Sequence, residues 1–200
     1  MPMRVAVAVS GRGSNLEALL ASLGNGDEAR VVLVLSDRAD APALERARAR
    51  GVAAVALTDW RSGDEWLAAL TEHSVDLLVL AGFLKLVPSG VIARYRGRII
   101  NVHPALLPAF GGKGMYGIRV HEAVLASGAT ESGCTVHLVD EEYDRGMILA
   151  QARVPVLPGD TPQLLASRVL EQEHRLLPAV VLATARAGHP VTVEPNPASR

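Results

Sequence analysis

The chain has 200 residues and a formal net charge of -1 at pH 7, and a chain of this length suits one domain with a substantial core. This charge balance provides no basic surface for nucleic acid or for an anionic membrane, so we expect a small-molecule partner instead. Hydrophobic residues make up 49% of the chain and aromatic residues only 4%. We therefore expect a core of Val, Leu, Ile and Ala, as in α/β sheets covered by helices.

Cysteine content and the lengths of the apolar runs bear on location. Cys134 is the only cysteine, which excludes an internal disulfide framework and fits a reducing compartment. The first apolar run is too short for the core of a signal peptide, and the longest, residues 77–84, is too short to span a bilayer. The sequence therefore predicts a soluble, cytoplasmic protein.

The chain begins with a predicted strand, a glycine-rich turn and a helix. Residues 4–10 form the strand, and residues 11–15, Gly-Arg-Gly-Ser-Asn, lead into a leucine-rich helical pattern. Such a junction presents unpaired N–H groups and the positive end of a helix dipole, so we expect it to bind a phosphate monoester. It matches neither a dinucleotide fingerprint nor a P-loop. The alternative is a tight turn in which Ser14 or Asn15 only caps the helix.

Strand and helix patterns alternate through the rest of the chain. Predicted strands cover residues 31–36, 52–57, 76–81, a stretch around Asn101 and 134–139, and predicted helices cover residues 41–50, 64–73, a short segment from His121 and 161–187. This alternation is typical of parallel βαβ units with right-handed crossovers. The sequence predicts an α/β fold with a mostly parallel, twisted, Rossmann-like sheet and helices on both faces. We expect one domain over residues 1–190 and a flexible tail over residues 191–200.

The predicted strand around Asn101 ends abruptly on two polar side chains. Asn101 and His103 project from one face of the strand because side chains alternate, and Pro104 cannot continue a central strand. The pair therefore lies where open α/β sheets bind ligands. An amide beside an imidazole suits chemistry on a carbonyl group, where the amide stabilises an oxyanion and the histidine moves a proton. The residues leave open a strand-end turn with a capping asparagine and an ordinary surface histidine.

An acidic segment, residues 140–146, follows the strand that carries Thr135 and His137 on one face. Four of the five residues from Asp140 to Asp144 carry carboxylates, an arrangement that is costly unless the groups are exposed or have a task. A solvated acidic loop remains the alternative. The glycine-rich stretch 109–116 predicts a mobile loop. Because the histidines and Cys134 lack metal-ligand spacing, we predict no metal site.

Taken together, these motifs resemble the folate-dependent formyltransferases over residues 4–187. The matching segments are Ser10-Gly-Arg-Gly-Ser-Asn15, Leu80-Ala-Gly-Phe-Leu84, Asn101-Val-His-Pro104 with Leu106-Leu-Pro108, Thr135-Val-His137 and Asp140 to Asp144. The resemblance is greatest to the branch that formylates glycinamide ribonucleotide in purine (IMP) biosynthesis. It implies the formyltransferase fold and 10-formyltetrahydrofolate as formyl donor, without a metal or a nucleotide cofactor.

The resemblance also implies roles for individual residues. It implies a catalytic trio of Asn101, His103 and Asp144. Attack on a formyl carbon creates an oxyanion, for which the Asn101 amide and a protonated His103 are suitable donors. It implies ribonucleotide binding by Gly13, Ser14, Asn15, Gln172 and Glu173. It implies folate binding by Leu84, Lys85, Leu86, Val87, Asp140, Glu141, Glu142, Tyr143 and Asp144.

Two segments depart from the family pattern. An arginine that often meets the folate tail has no firm counterpart, and Arg61 is the candidate. The loop after Pro108 reads Phe-Gly-Gly-Lys over residues 110–113, where many relatives have a proline-glycine turn. The alternative functions are a formyltetrahydrofolate hydrolase, a tRNA formyltransferase and a non-catalytic sugar-phosphate binding module. A homodimer is a further expectation.

Overall fold

The computed structural model describes residues 1–24 and 26–194. One sheet contains seven strands, in the order β3-β2-β1-β4-β5-β6-β7. The strands are β1 (Met3–Val9), β2 (Ala29–Ser36), β3 (Ala53–Ala56), β4 (Leu77–Leu80), β5 (Ile99–His103), β6 (Glu131–Leu138) and β7 (Ile148–Pro155). The helices are α1 (Ser14–Leu23), α2 (Pro42–Ala49), α3 (Gly63–Glu72), α4 (Ser89–Arg94), α5 (Ile118–Ala126) and α6 (Pro162–Ala187).

Strands β1 to β5 are parallel, whereas β5 pairs antiparallel with β6 and β6 antiparallel with β7. The predicted α/β fold with a mostly parallel sheet is therefore confirmed. Helix α4 and strand β7 were not predicted. Helix α4 has 6 residues, too few to show a helical period. Strand β7 lies at the sheet edge, and the polar residues Gln151 and Arg153 interrupt its apolar pattern.

Helices cover both faces of the sheet, as the sequence predicts. Alternate residues of β1 point to opposite faces: Val5, Val7 and Val9 join one buried cluster with residues of α1, α2, α5 and α6, and Ala6 and Ala8 join a second with α3 and α4. Cys134 is fully buried in the first cluster. Burial raises the pKa of its thiol, consistent with a small core residue.

The carboxyl ends of β1, β4 and β5 lie at one edge of the sheet and position the site. The Ser10 N–H donates to the Gly82 carbonyl at 3.0 Å, and the Leu84 N–H donates to the Ser10 hydroxyl oxygen at 3.0 Å. These two bonds join the turn after β1 to the turn after β4. The loops that follow neighbouring parallel strands therefore form one continuous rim.

The chain after α6 runs back along the sheet. The Val193 N–H donates to the Leu149 carbonyl of β7 at 2.8 Å. The rest of the predicted tail, residues 195–200, lies outside the described residues. Within residues 1–24 and 26–194, none of the helices has the length and apolarity needed to cross a membrane.

Candidate active site

A cleft of about 790 Å³ opens at the carboxyl edge of the sheet. It runs from the glycine-rich turn before α1, past the end of β5, to the acidic segment after β6. Most of the predicted site residues line it: Ser14, Asn15, Leu84, Lys85, Leu86, Val87, Asn101, His103, Asp140, Glu142, Tyr143, Asp144 and Glu173. Segments separated by more than a hundred residues in the chain thus meet around one space.

Gly13, Glu141 and Gln172 do not line this cleft, and neither does Arg61, the candidate for the folate tail. Gly13 precedes α1 with φ 78°, and a Cβ there would lie 2.7 Å from the Cβ of Ala43, so close packing of the turn requires glycine. Glu141 forms an ion pair with Arg96 at 2.7 Å on the surface. Gln172 is half-buried on α6, next to the cleft-lining Glu173.

The predicted catalytic trio comes together at the end of β5. Asp144 lies on a non-helical turn with φ 57°. Its Oδ2 is 3.5 Å from His103 Nδ1, and its Oδ1 is 3.5 Å from His137 Nε2. Asp144 is therefore placed between two buried imidazoles, of which the sequence predicted a role for only His103.

Hydrogen bonds to backbone carbonyls assign the tautomer of His137 and orient Asn101. His137 Nδ1 lies 2.8 Å from the Leu138 carbonyl oxygen, which only accepts, so Nδ1 carries the proton of the neutral ring. Asn101 Nδ2 then donates to His137 Nε2 at 3.1 Å. This bond uses one N–H of the Asn101 amide and leaves the second available to an oxyanion in the cleft.

Burial and charge oppose each other at His103 and Asp144. Burial lowers the pKa of His103 below its ordinary value, although the Asp144 charge and the bond to the Phe110 carbonyl act in the other direction. Burial raises the pKa of Asp144, but the charge of a protonated His103 and the Gly112 N–H that donates to Asp144 Oδ2 outweigh it and hold that pKa below its ordinary value. Both ring nitrogens of His103 face acceptors, the Phe110 carbonyl at Nε2 and the Asp144 carboxylate at Nδ1, so both can donate when the ring is protonated.

The other end of the cleft combines a helix N-terminus with a buried carboxyl group. Within the described residues no side chain caps α1, so its first N–H groups are free to bind an anion. Asn15 Nδ2 donates to Glu173 Oε2 at 2.6 Å, whereas the buried Asn15 Oδ1 has no partner among the described residues. Burial raises the pKa of Glu173 to about 7, and the Asn15 bond opposes this rise.

Glu173 should make stability depend on pH. Its pKa is higher in the folded state than the ordinary 4.5, so the folded protein loses stability as pH rises from about 4.5 through about 7. We expect Glu173→Gln to stabilise the protein by about 3 kcal/mol more at pH 8 than at pH 4, because glutamine never ionises. Urea unfolding at both pH values measures this difference.

The matched control is Glu171→Gln, which changes an exposed carboxyl group on the same helix and should shift stability much less between the two pH values than Glu173→Gln does. An equal effect of Glu173→Gln at pH 4 and pH 8 would contradict the assignment.

The sequence missed His137, His121 and the Phe110 carbonyl as parts of the site. Alternation placed His137 on the Thr135 face of β6, but only the register that sets it opposite Asn101 shows its contact. His121 is buried at the cleft, and its Nδ1 has no partner among the described residues. No group of three or more His, Cys, Asp or Glu residues within residues 1–24 and 26–194 is arranged to hold a metal ion.

Comparisons with known proteins identify relatives over nearly the whole chain. The sequence pattern of the family described as "Formyl transferase" matches residues 3–181. The chain is 46% identical over 186 residues to "Phosphoribosylglycinamide formyltransferase, chloroplastic" of Arabidopsis thaliana, covering 89% of this chain and 64% of the relative. It is 37% identical to "Phosphoribosylglycinamide formyltransferase" of Escherichia coli K12, covering 90% of this chain and 85% of the relative.

A solved structure shows the same fold. The phosphoribosylglycinamide formyltransferase of Brucella melitensis superposes with a TM-score of 0.83 at 44% identity, covering 96% of this chain and 100% of that one. The chain spans less than two thirds of the Arabidopsis relative, but 85% of the E. coli protein and all of the Brucella protein. On this combined evidence, the chain belongs to the formyl transferase family, as its motifs predicted.

Proposed function

We propose that this protein transfers the formyl group of 10-formyltetrahydrofolate to the amine of 5-phosphoribosylglycinamide, giving formylglycinamide ribonucleotide and tetrahydrofolate in purine biosynthesis. The observation that carries the proposal is the convergence of Asn101, His103 and Asp144 midway along one cleft. The N-terminus of α1, which no side chain among the described residues caps, lies at one end of that cleft, and the Leu84–Val87 segment lies in its wall. The names of the relatives, which include proteins of purine biosynthesis, support the same substrates.

The ribonucleotide fits the end of the cleft formed by α1 and α6. We propose that the N–H groups of Ser14 and Asn15 bind its phosphate, because an uncapped helix N-terminus favours an anion. Glu173 then accepts hydrogen bonds from ribose hydroxyls or from the amine. Gly13 contributes by allowing the close turn, and Gln172 is the weaker candidate because it lies outside the cleft lining.

The folate fits the wall formed by Leu84–Val87 and the acidic segment. Leu84 and Leu86 are large apolar side chains that remain exposed there, as a flat aromatic ligand requires. We propose that Asp140, Glu142 and Tyr143 line the pocket beside them, while Glu141 acts only through its surface ion pair with Arg96.

The three central side chains suit the transfer step. The amine attacks the formyl carbon and the carbonyl oxygen becomes an oxyanion; when the carbonyl re-forms, the bond from that carbon to the folate nitrogen breaks. Asn101 donates its free N–H to the oxyanion, a contact worth about 2.7–4 kcal/mol in comparable sites. His103 and Asp144 together accept the proton lost by the amine and return one to the departing nitrogen, so the pair ends in its starting state.

Arg61 is our candidate for the carboxylates of the folate tail. Its guanidinium carbon lies 4.3 Å from the centre of the Trp60 ring, and the ammonium of Lys85, which lines the cleft, lies 5.7 Å from the same ring. We expect Arg61→Ala to raise the KM for the formyl donor about two- to fivefold, the effect of one exposed ion pair. Steady-state kinetics at low salt measure it.

The Arg61 effect should shrink at high salt, because screening weakens exposed pairs. Arg186→Ala removes an exposed arginine that pairs with Glu28 and should leave this KM unchanged. A larger rise in the KM for the ribonucleotide than for the donor would contradict the placement of Arg61.

A spectrophotometric assay tests the proposed function. Purified protein is mixed with 10-formyltetrahydrofolate or 10-formyldideazafolate, with and without glycinamide ribonucleotide. Loss of the formyl group that depends on the ribonucleotide is the expected result. Loss without the ribonucleotide would favour a hydrolase, and ribonucleotide binding without turnover would favour a sugar-phosphate binding module.

The cellular location and the oligomeric state of this protein remain predictions. We propose a cytoplasmic protein because its lone cysteine is a free, buried thiol, although the Arabidopsis relative is named as chloroplastic. The homodimer expected from the sequence is likewise a proposal, and sedimentation of the purified protein tests it.

A further inference from the structure

Strands β5, β6 and β7 place three polar side chains in one row across the sheet. His103 pairs with Thr135 of β6, and Thr135 pairs with Gln151 of β7. Residues directly opposite each other on antiparallel strands project from the same face of the sheet. His103 is therefore followed, toward the sheet edge, by a hydroxyl group and then by an amide.

The hydroxyl of Thr135 holds the turn that follows His103. Thr135 is fully buried, and its hydroxyl donates to the Ala105 carbonyl at 2.7 Å and accepts from the Leu107 N–H at 3.0 Å. The chain has left the sheet after His103, so its buried backbone groups need partners outside the strand ladder. The Thr135 side chain supplies two of these partners.

Gln151 completes this arrangement from the next strand. Its Nε2 donates to the Leu107 carbonyl at 2.9 Å and to the Thr135 hydroxyl oxygen at 3.0 Å. Both backbone groups of Leu107 are thus fixed, the N–H by Thr135 and the carbonyl by Gln151. The Thr135 hydroxyl donates once and accepts twice, which is its full capacity. Removing either side chain therefore leaves buried polar groups of the turn without a partner.

The turn that Thr135 and Gln151 hold leads to the carbonyl that contacts the His103 ring. The Phe110 carbonyl oxygen lies 2.8 Å from His103 Nε2, and the Phe110 side chain packs against the first buried cluster. On the other side of the ring, Asp144 Oδ2 lies 3.5 Å from Nδ1. Two loops thus orient the ring, and the one that runs from residue 104 to residue 110 is the loop that β6 and β7 hold.

We infer that Thr135 and Gln151 are positioning residues, whose hydrogen bonds hold the turn after β5 and thereby keep the His103 ring in contact with the Phe110 carbonyl. Neither side chain lines the cleft, so both act through the turn rather than on a substrate. The role also accounts for a polar residue that interrupts the apolar pattern of β7. The effect on catalysis rests on the proposed formyl transfer, whereas the position of the ring is a property of the free protein.

Substitutions on β7 test the contribution of Gln151. Gln151→Met keeps a long, unbranched side chain but removes the donor. Arg153→Met is the matched control, because Arg153 lies on the same strand, is exposed and pairs only at the surface with Glu131.

Substitutions on β6 test the hydroxyl of Thr135. Thr135→Val keeps a β-branched side chain without the hydroxyl, and Thr135→Ser keeps the hydroxyl without the methyl group. Ser132→Ala is the matched control, because it removes a buried hydroxyl of the same strand that has no partner among the described residues.

We expect Gln151→Met and Thr135→Val to lower kcat about tenfold to a hundredfold, with both KM values within about threefold, because a small misplacement of a reacting group slows the chemical step. Thr135→Ser and the two controls should keep kcat within about threefold of wild type, since each retains the hydrogen bonds to the turn. Steady-state kinetics well below the temperature of thermal unfolding measure these values.

NMR of histidine-labelled protein measures the position of the ring directly. The ¹H–¹⁵N signals of His103 are assigned by their absence from the spectrum of His103→Ala. These signals should shift in Gln151→Met and Thr135→Val and should stay unchanged in Arg153→Met and Ser132→Ala. A residue that only stabilises the fold would lower the temperature of unfolding without moving these signals or kcat.

Several results would overturn the inference: a normal kcat in Gln151→Met or Thr135→Val, a lowered kcat with unmoved His103 signals, a rise in either KM larger than the fall in kcat, or equal damage in Thr135→Ser. If Thr135→Val does not fold, the comparison of Gln151→Met with Arg153→Met decides. If the wild type transfers no formyl group but the His103 signals move in Gln151→Met and not in Arg153→Met, the proposed function fails and the positioning role holds.

Discussion

His103→Ala should lower kcat for formyl transfer by two or more orders of magnitude while the fold stays intact. The substitution removes the imidazole that lies 3.5 Å from Asp144, and positioned acid–base groups typically contribute about 10²–10⁴-fold to a rate. The KM values should change much less, because the ring acts on the reacting atoms rather than on the phosphate or the folate tail.

The test compares His103→Ala with His189→Ala, which removes an exposed histidine after α6. Both proteins are first checked by circular dichroism and thermal unfolding, since His103 is only 3% exposed and its loss leaves a cavity. The control should retain wild-type kcat. A near-normal kcat of His103→Ala would contradict the role assigned to His103.

Asp144→Asn should also lower kcat by two or more orders of magnitude. Asparagine tolerates the φ of 57° found at this position, and its side-chain oxygen still accepts from the Gly112 N–H. The variant therefore keeps the loop but loses the charge that stabilises a protonated His103. Asp64→Asn, at an exposed carboxylate in the first turn of α3, is the matched control.

The double variant gives a sharper test of the pair. If His103 and Asp144 act as one proton-holding unit, the combination should cost little more than either substitution alone, because residues that act together are not additive. Losses that multiply would show that the two groups act independently. Near-wild-type kcat in Asp144→Asn would remove it from the mechanism.

The structure clarifies the two departures from the family pattern. Arg61 lies over the Trp60 ring, which is also 5.7 Å from the ammonium of the cleft-lining Lys85, a contact that depends on tertiary packing of the β3–α3 loop. The unusual Phe-Gly-Gly sequence after Pro108 contacts His103 and Asp144 directly. A segment that seemed only to replace a proline-glycine turn is therefore part of the candidate site.

Local patterns in the sequence were sufficient to predict most of the fold. Apolar runs of strand length alternating with helical periods predicted the parallel strands and their helices, since these signals depend on neighbours within a few residues. The sequence did not predict strand β7, because it lies at a half-exposed edge of the sheet, or helix α4, because it has only 6 residues. The glycine-rich turn and the polar end of β5 could also be predicted from the sequence, because each interrupts a local apolar pattern.

The sequence by itself thus determined the α/β fold, the family and the positions of Asn101 and His103 at a strand end. Only the tertiary structure decided that His137 orients Asn101, that Asp144 lies between two histidines and that the Phe110 carbonyl contacts His103. It also decided that burial lowers the pKa of His103 against the opposite effect of the nearby carboxylate. These features depend on strand register, loop path and desolvation, which arise from contacts between distant segments and leave no local signal.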